Sequence, residues 1–110
     1  MRQGEIWELY LDPVTGSEQG GRRPCVIISG NLLNQYLQVV IVCPLTSKIK
    51  NYKGNLIITP DLENGLEKVS EVMTFHVRSV SKNRLDKRIG EISSEQVDFI
   101  KTTLDDILRY

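Results

Sequence analysis

The sequence predicts an α+β fold: a small, twisted antiparallel sheet or barrel closed by one amphipathic helix at the C-terminal end. Three observations carry this reading. Five or six short strand-like segments are separated by turn-rich stretches. Only the last segment has a helical period. The 110 residues suit one domain with one core, with no repeat, linker or low-complexity tract, so residues 1–110 are expected to form a single domain.

The elements follow in order. Residues 6–11 read as the first strand, with Trp7, Leu9 and Leu11 on one face and Glu8 on the other. Residues 12–21, rich in glycine and small polar residues, form a long loop of the kind that often carries function. Residues 24–29 read as a buried strand, with Pro24 at its start, where a missing N–H removes no central ladder bond. Residues 31–34 suit a single helical turn. Residues 37–45 are the most β-branched stretch and should be a central strand, ending in a polar, basic loop over residues 46–54. A short strand at 55–59 and a turn at 60–67, containing Asn64-Gly65, come next. Residues 71–80 alternate, which predicts a strand with Met73, Phe75 and Val77 on one face and Thr74, His76 and Arg78 on the other. A brief helical turn at 81–85 leads to a strand at 87–92. Ser93 with Gln96 three residues on fits a capping box. Val97, Ile100, Leu104, Ile107 and Leu108 then form one apolar stripe at helical spacing.

Composition excludes several classes. Four prolines and 25% charged residues argue against disorder. No apolar run approaches the roughly 18 residues that span a bilayer, and no signal peptide is expected at Met1–Glu5. Fourteen basic residues balance fourteen acidic ones, which excludes a uniformly basic nucleic-acid binder. The charge is nevertheless segregated. Residues 22–60 hold five basic residues and no acid, and residues 78–88 hold five more against Asp86 alone. Such polarity suits a basic groove for phosphates, and scattered solvated charge is the alternative. Cys25 and Cys43 sit in apolar runs without metal-ligand spacing. They are expected to be buried thiols in a reducing compartment, with a cross-strand disulfide as the alternative, and no zinc site is expected.

Several catalytic devices are missing. His76 is the only histidine, so one chain cannot assemble a two-histidine acid/base pair. No nucleophile elbow, zinc-protease or phosphate-loop motif occurs. Chemistry here must rest on positioning and electrostatic stabilisation. Two segments have the right groups. Ser17-Glu18-Gln19-Gly20-Gly21-Arg22-Arg23-Pro24 puts a carboxylate, a carboxamide and two guanidiniums beside a strand start. Pro44-Leu45-Thr46-Ser47-Lys48 puts a hydroxyl at the end of the central strand, where a threonine bonding its own backbone is the alternative. Tyr52 between Lys50 and Lys53 suits a base-stacking platform with cations for the backbone, or an ordinary exposed loop aromatic.

These blocks resemble the MazF/PemK family, the toxin halves of bacterial toxin–antitoxin modules. The resemblance runs in order through Gly-Glu-Ile at residues 4–6, Asp12-Pro13, residues 16–24 and the following Val-Ile-Ile-Ser. It continues through Pro44-Leu45-Thr46-Ser47, Gly65-Leu66 with Ser70 and Val72, Val77-Arg78-Ser79-Val80 and Arg84-Leu85. It implies an SH3-like, CcdB/PemK-like β-barrel that forms a two-fold dimer. It also implies a cytoplasmic, metal-independent endoribonuclease without cofactor, acting on single-stranded RNA, neutralised by a MazE-like antitoxin and meeting operator DNA only through it. By this resemblance the catalytic residues are Arg23, Thr46 and Glu18. The RNA contacts would be Ser17, Gln19, Arg22, Ser47, Lys48, Lys50, Tyr52, Lys53, His76 and Arg78, with Arg22 at a variable position and His76 where relatives often carry glutamine. A toxin of the same fold that binds DNA gyrase without cleaving RNA, as CcdB relatives do, is the alternative.

Overall fold

The computed structural model describes residues 1–11 and 21–110. Among these residues, seven strands, two α-helices and two short 3-10 turns follow one another. They are β1 (Glu5–Leu11), β2 (Gly21–Ile27), α1 (Asn31–Tyr36), β3 (Val39–Thr46), β4 (Ile57–Ile58) and β5 (Ser70–Val72), then the turn Thr74–His76, β6 (Arg78–Ser81), the turn Lys82–Arg84, β7 (Leu85–Glu91) and α2 (Ser94–Arg109). The sheet order is β4-β5-β3-β2-β1-β7, with β6 also on β3. Every pairing is antiparallel, so the α+β half-barrel with a C-terminal helix is the fold the sequence predicts.

Alternation along the central strands sends neighbouring side chains to opposite faces, and each face has its own apolar cluster. Ile6, Val26, Cys43, Leu45, Ile58 and Val72 pack with Val97 and Ile100 of α2. Leu9, Cys25, Ile27, Val40, Val42, Val80 and Leu85 form the second cluster, with Trp7 against it. The two cysteines are free thiols in different clusters, and burial pushes each up to about 12. They act as small buried hydrophobes.

One predicted strand is two. Residues 71–80 divide at the 3-10 turn Thr74–His76 because β5 and β6 share one edge of β3 in different registers. Thr46 faces Glu71 and Leu45 faces Val72, whereas Val42 faces Arg78 and Val39 faces Ser81. The turn takes up the offset near Pro44, whose carbonyl accepts the Met73 N–H at 2.8 Å. The turn also reverses the predicted facing: Thr74 is buried and Phe75 is 76% exposed. His76 is exposed, as the alternation also required.

The turn at 61–66 is clamped onto β7. A Cβ on Gly65, whose φ is +65°, would lie 2.3 Å from the Ile89 carbonyl oxygen, and one on Gly90 would lie 2.4 Å from the backbone of Asn64. Only glycine permits so close an approach. Buried Asn64 closes the turn, donating to the Thr59 carbonyl at 2.9 Å and accepting the Asp61 and Leu66 N–H groups at 3.1 and 3.0 Å.

The capping box of α2 is complete: Ser93 Oγ accepts the Gln96 N–H at 3.1 Å, and Gln96 Oε1 accepts the Ser93 N–H at 2.9 Å. The buried stripe is shorter than the spacing predicts. Val97, Ile100 and Thr103 are buried, whereas Leu108 is 79% exposed. Thr103 donates instead to the Gly54 carbonyl, tying α2 to the loop after β3. Ser93→Ala should cost about 1 kcal/mol, read as a lower urea midpoint with an unchanged m-value.

Candidate active site

Arg23 lies within β2 and pairs with Leu9 of β1. The strand begins at Gly21, three residues before Pro24, so Arg23 is held by a ladder on a central strand. β2 and β3 pair with Cys25 facing Pro44 and Ile27 facing Val42. Continuing that register by two residues sets Arg23 opposite Thr46, the last residue of β3. Two residues far apart in sequence thereby come to the same end of the β2–β3 pair.

Both line a cleft of about 780 Å³, with Ser47 and Lys48 beside them. Its other walls come from Glu8, the clamped turn at Gly65 and Leu66, and Lys68, Lys87 and Arg88. Among the described residues, five cations, Arg23, Lys48, Lys68, Lys87 and Arg88, thus face two carboxylates, Glu8 and Glu67. A cleft so lined concentrates positive potential and attracts phosphates. Thr46 Oγ1 accepts the Lys48 N–H at 3.1 Å. This is the backbone bond expected of a strand-ending threonine, and it leaves the hydroxyl proton to be donated elsewhere.

The cations differ in how far they are already neutralised. Arg88 reaches Glu5 at 3.2 Å and Glu91 at 3.7 Å. Burial raises the Glu5 carboxyl, but hydrogen bonds from Trp7, the Arg2 amide and Arg88 outweigh it and hold the group below its ordinary value. Arg22, one residue from Arg23 and so on the other face of the strand, pairs with Asp86 at 3.2 Å. No carboxylate among the described residues lies within ion-pair distance of Arg23. Unlike Arg88, its guanidinium, like the Lys48, Lys68 and Lys87 ammonium groups, forms no ion pair with a described carboxylate.

The remaining expected residues divide. Ser17, Glu18 and Gln19 lie outside the described residues. Lys50, Tyr52 and Lys53 are exposed on the loop that continues from Lys48, next to the cleft but not in its wall. His76 and Arg78 are exposed at the 3-10 turn and the start of β6, also outside the wall. Sequence reasoning missed Glu8, Lys68, Lys87 and Arg88. The pairing of Trp7 with Arg88 brings the last two to the cleft, and the only advance signal was the basic run over residues 78–88.

The profile described as PemK-like, MazF-like toxin of type II toxin-antitoxin system matches residues 2–108. The chain is 33% identical over 108 residues to endoribonuclease MazF of Staphylococcus saprophyticus, covering 96% of this chain and 88% of that protein. It is 30% identical over 105 residues to endoribonuclease EndoA of Bacillus subtilis, covering 94% and 90%. It superposes on a MazE–MazF crystal structure from Deinococcus radiodurans (Form-II) with a TM-score of 0.80 at 27% identity, covering 98% of this chain and 95% of that one.

Proposed function

The chain belongs to the PemK-like, MazF-like family of type II toxin–antitoxin toxins, and on that premise we propose that it is an endoribonuclease whose Arg23–Thr46 cleft cuts single-stranded RNA without a metal ion. The observation that carries the proposal is the meeting of Arg23 and Thr46 in one cationic cleft in a chain whose relatives are named endoribonucleases. Those relatives do not favour the gyrase-binding alternative.

The reaction that suits these groups is in-line attack of a ribose 2′-oxygen on the adjacent phosphorus. The 2′-hydroxyl gives up its proton and the O2′–P bond forms. The P–O5′ bond breaks, and the departing 5′-oxygen takes a proton. The products are a 2′,3′-cyclic phosphate and a 5′-hydroxyl. Arg23 offers a planar fork for the phosphate oxygens as charge builds on them, and Thr46 adds one more donor. A guanidinium stays protonated in a protein and is a poor proton acceptor. We therefore give Arg23 charge stabilisation and give the 2′-proton to Glu18, for which holding Arg23 by an ion pair is the other role. The loop cations Lys48, Lys50 and Lys53, with Tyr52 for stacking, suit the flanking nucleotides. Ser17, Gln19, Ser47, His76 and Arg78 complete the proposed RNA contacts, with Arg22 contributing charge. Incubating the purified protein with a long RNA in chelator and mapping the new ends should give discrete cuts at one short motif. Uncut RNA would overturn the reading.

A homodimer extends the proposal. Leu32 and Tyr36 of α1 are each 70% exposed, and Leu33, Leu37, Val39 and Ile41 beside them are exposed too. Apolar surface gathered in this way suits burial against a second copy. Light scattering should give about twice the 12.5 kDa chain mass; a monomer with full activity would remove the dimer. A cognate antitoxin related to MazE is the proposed inhibitor, its acidic segment competing with RNA for the cleft cations and losing affinity as salt rises. No helix among the described residues is long and apolar enough to cross a membrane, and a cytoplasmic site of action is part of the same proposal.

A further inference from the structure

We infer that Glu71 is a positioning residue for RNA binding, its carboxylate holding the loop after β3 in the shape that presents Lys48, Lys50, Tyr52 and Lys53 to the substrate. The inference rests on the endoribonuclease reading above. In the ladder Glu71 stands directly opposite Thr46, and it is 0% exposed. Its two oxygens accept four hydrogen bonds. The backbone N–H groups of Lys50 and Asn51 each reach Oε1 at 2.8 Å. The Tyr52 N–H reaches Oε2 at 3.0 Å and Asn55 Nδ2 reaches it at 2.9 Å.

Three successive amides converge on one anion only where the backbone turns concave, as in an anion-binding nest. Asn51 provides the turn with φ of 56°, the one positive value outside glycine among the described residues. Asparagine tolerates that region better than most side chains. The loop is therefore folded around an anion supplied by its own chain. Lys50, Tyr52 and Lys53 remain exposed above it.

The chemistry requires a carboxylate. Glutamine keeps one acceptor oxygen and replaces the other with an amide NH2, which in either orientation sets a donor against two of the four donors. Segment 50–52 would then be released, while β2 and β3 still hold Arg23 and Thr46. A loop ordered before binding loses less conformational freedom when RNA arrives. Its release should therefore weaken binding and leave the bond-breaking geometry in place.

The test compares cleavage of a single-stranded RNA carrying the mapped motif by wild type, Glu71→Gln and Asn55→Ala. Asn55→Ala removes one of the four bonds and keeps the test open if Glu71→Gln does not fold. Glu71→Gln should raise KM about tenfold and leave kcat within about threefold, and Asn55→Ala should shift KM less in the same direction. Hydrogen exchange at the Lys50, Asn51 and Tyr52 amides should quicken in step. Faster exchange with unchanged KM, or a fall in kcat alone, would make Glu71 merely structural and overturn the inference. Wild-type protein that leaves RNA uncut would overturn the endoribonuclease reading itself; wild-type cutting with unchanged KM in both variants would overturn this inference alone.

Discussion

Arg23→Ala is expected to lower the single-turnover cleavage rate by about 10²–10³, the loss usual when one fixed stabiliser of developing charge is removed. The cause is placement. Arg23 sits on a laddered strand beside Thr46, with no carboxylate among the described residues to neutralise it. Arg23→Lys keeps the charge but loses the planar fork, so it should recover only part of the rate. Thr46→Ala should cost less than Arg23→Ala, since it removes one neutral donor. Both variants should stay folded, because neither side chain belongs to an apolar cluster. Arg22→Ala is the control: its guanidinium is engaged by Asp86 on the other face of the strand, so its loss should only weaken binding in a salt-dependent manner. An indispensable Arg22 beside a dispensable Arg23 would reverse the assignment.

Acid should destabilise the protein through Glu71. Burial works to raise this carboxyl. The hydrogen bonds from Asn55 and the amides of Lys50, Asn51 and Tyr52 outweigh it and bring the group from 4.5 down to about 2. A carboxyl depressed in the folded state contributes its full stability above its unfolded value of 4.5 and loses it as pH falls toward 2. At about 1.4 kcal/mol per unit, the contribution at neutral pH is about 3 kcal/mol. Urea midpoints measured from pH 6 to pH 2.5 should fall steeply below pH 4.5 in wild type, with a smaller share from Glu5. Glu71→Gln should be less stable at pH 6 and should lack most of that decline. An identical pH dependence in both proteins would show that the four bonds do not favour the ionised form.

How much was legible in the sequence depended on how local each signal is. The alternation of β1, the β-branched run of β3 and the Ser93–Gln96 box each lie within a few residues, and each element is where the pattern put it. The division of residues 71–80 was not legible. A 3-10 turn inserted between two short strands leaves the apolar spacing unchanged, and what breaks the strand is the register of a distant partner, β3. The candidate site follows the same rule. Arg23 and Thr46 stood out by their segments, and their meeting then follows from one strand register. Lys68, Lys87 and Arg88 reach the cleft only through the clamp of Gly65 on β7 and the pairing of Trp7 with Arg88, which no local pattern carries. Glu71 carries no local signal, since its role depends on a loop about twenty residues earlier. Ser17, Glu18 and Gln19 lie outside the described residues.

In the proposed reaction the ribose 2′-oxygen is the attacking group in the Arg23–Thr46 cleft. A single-stranded RNA carrying the mapped motif should be cut in EDTA to a 2′,3′-cyclic phosphate and a 5′-hydroxyl. The same strand with one 2′-deoxy nucleotide on the 5′ side of the cut should remain intact at equal binding. Cutting of the deoxy strand, or cutting only when magnesium is supplied, would contradict it.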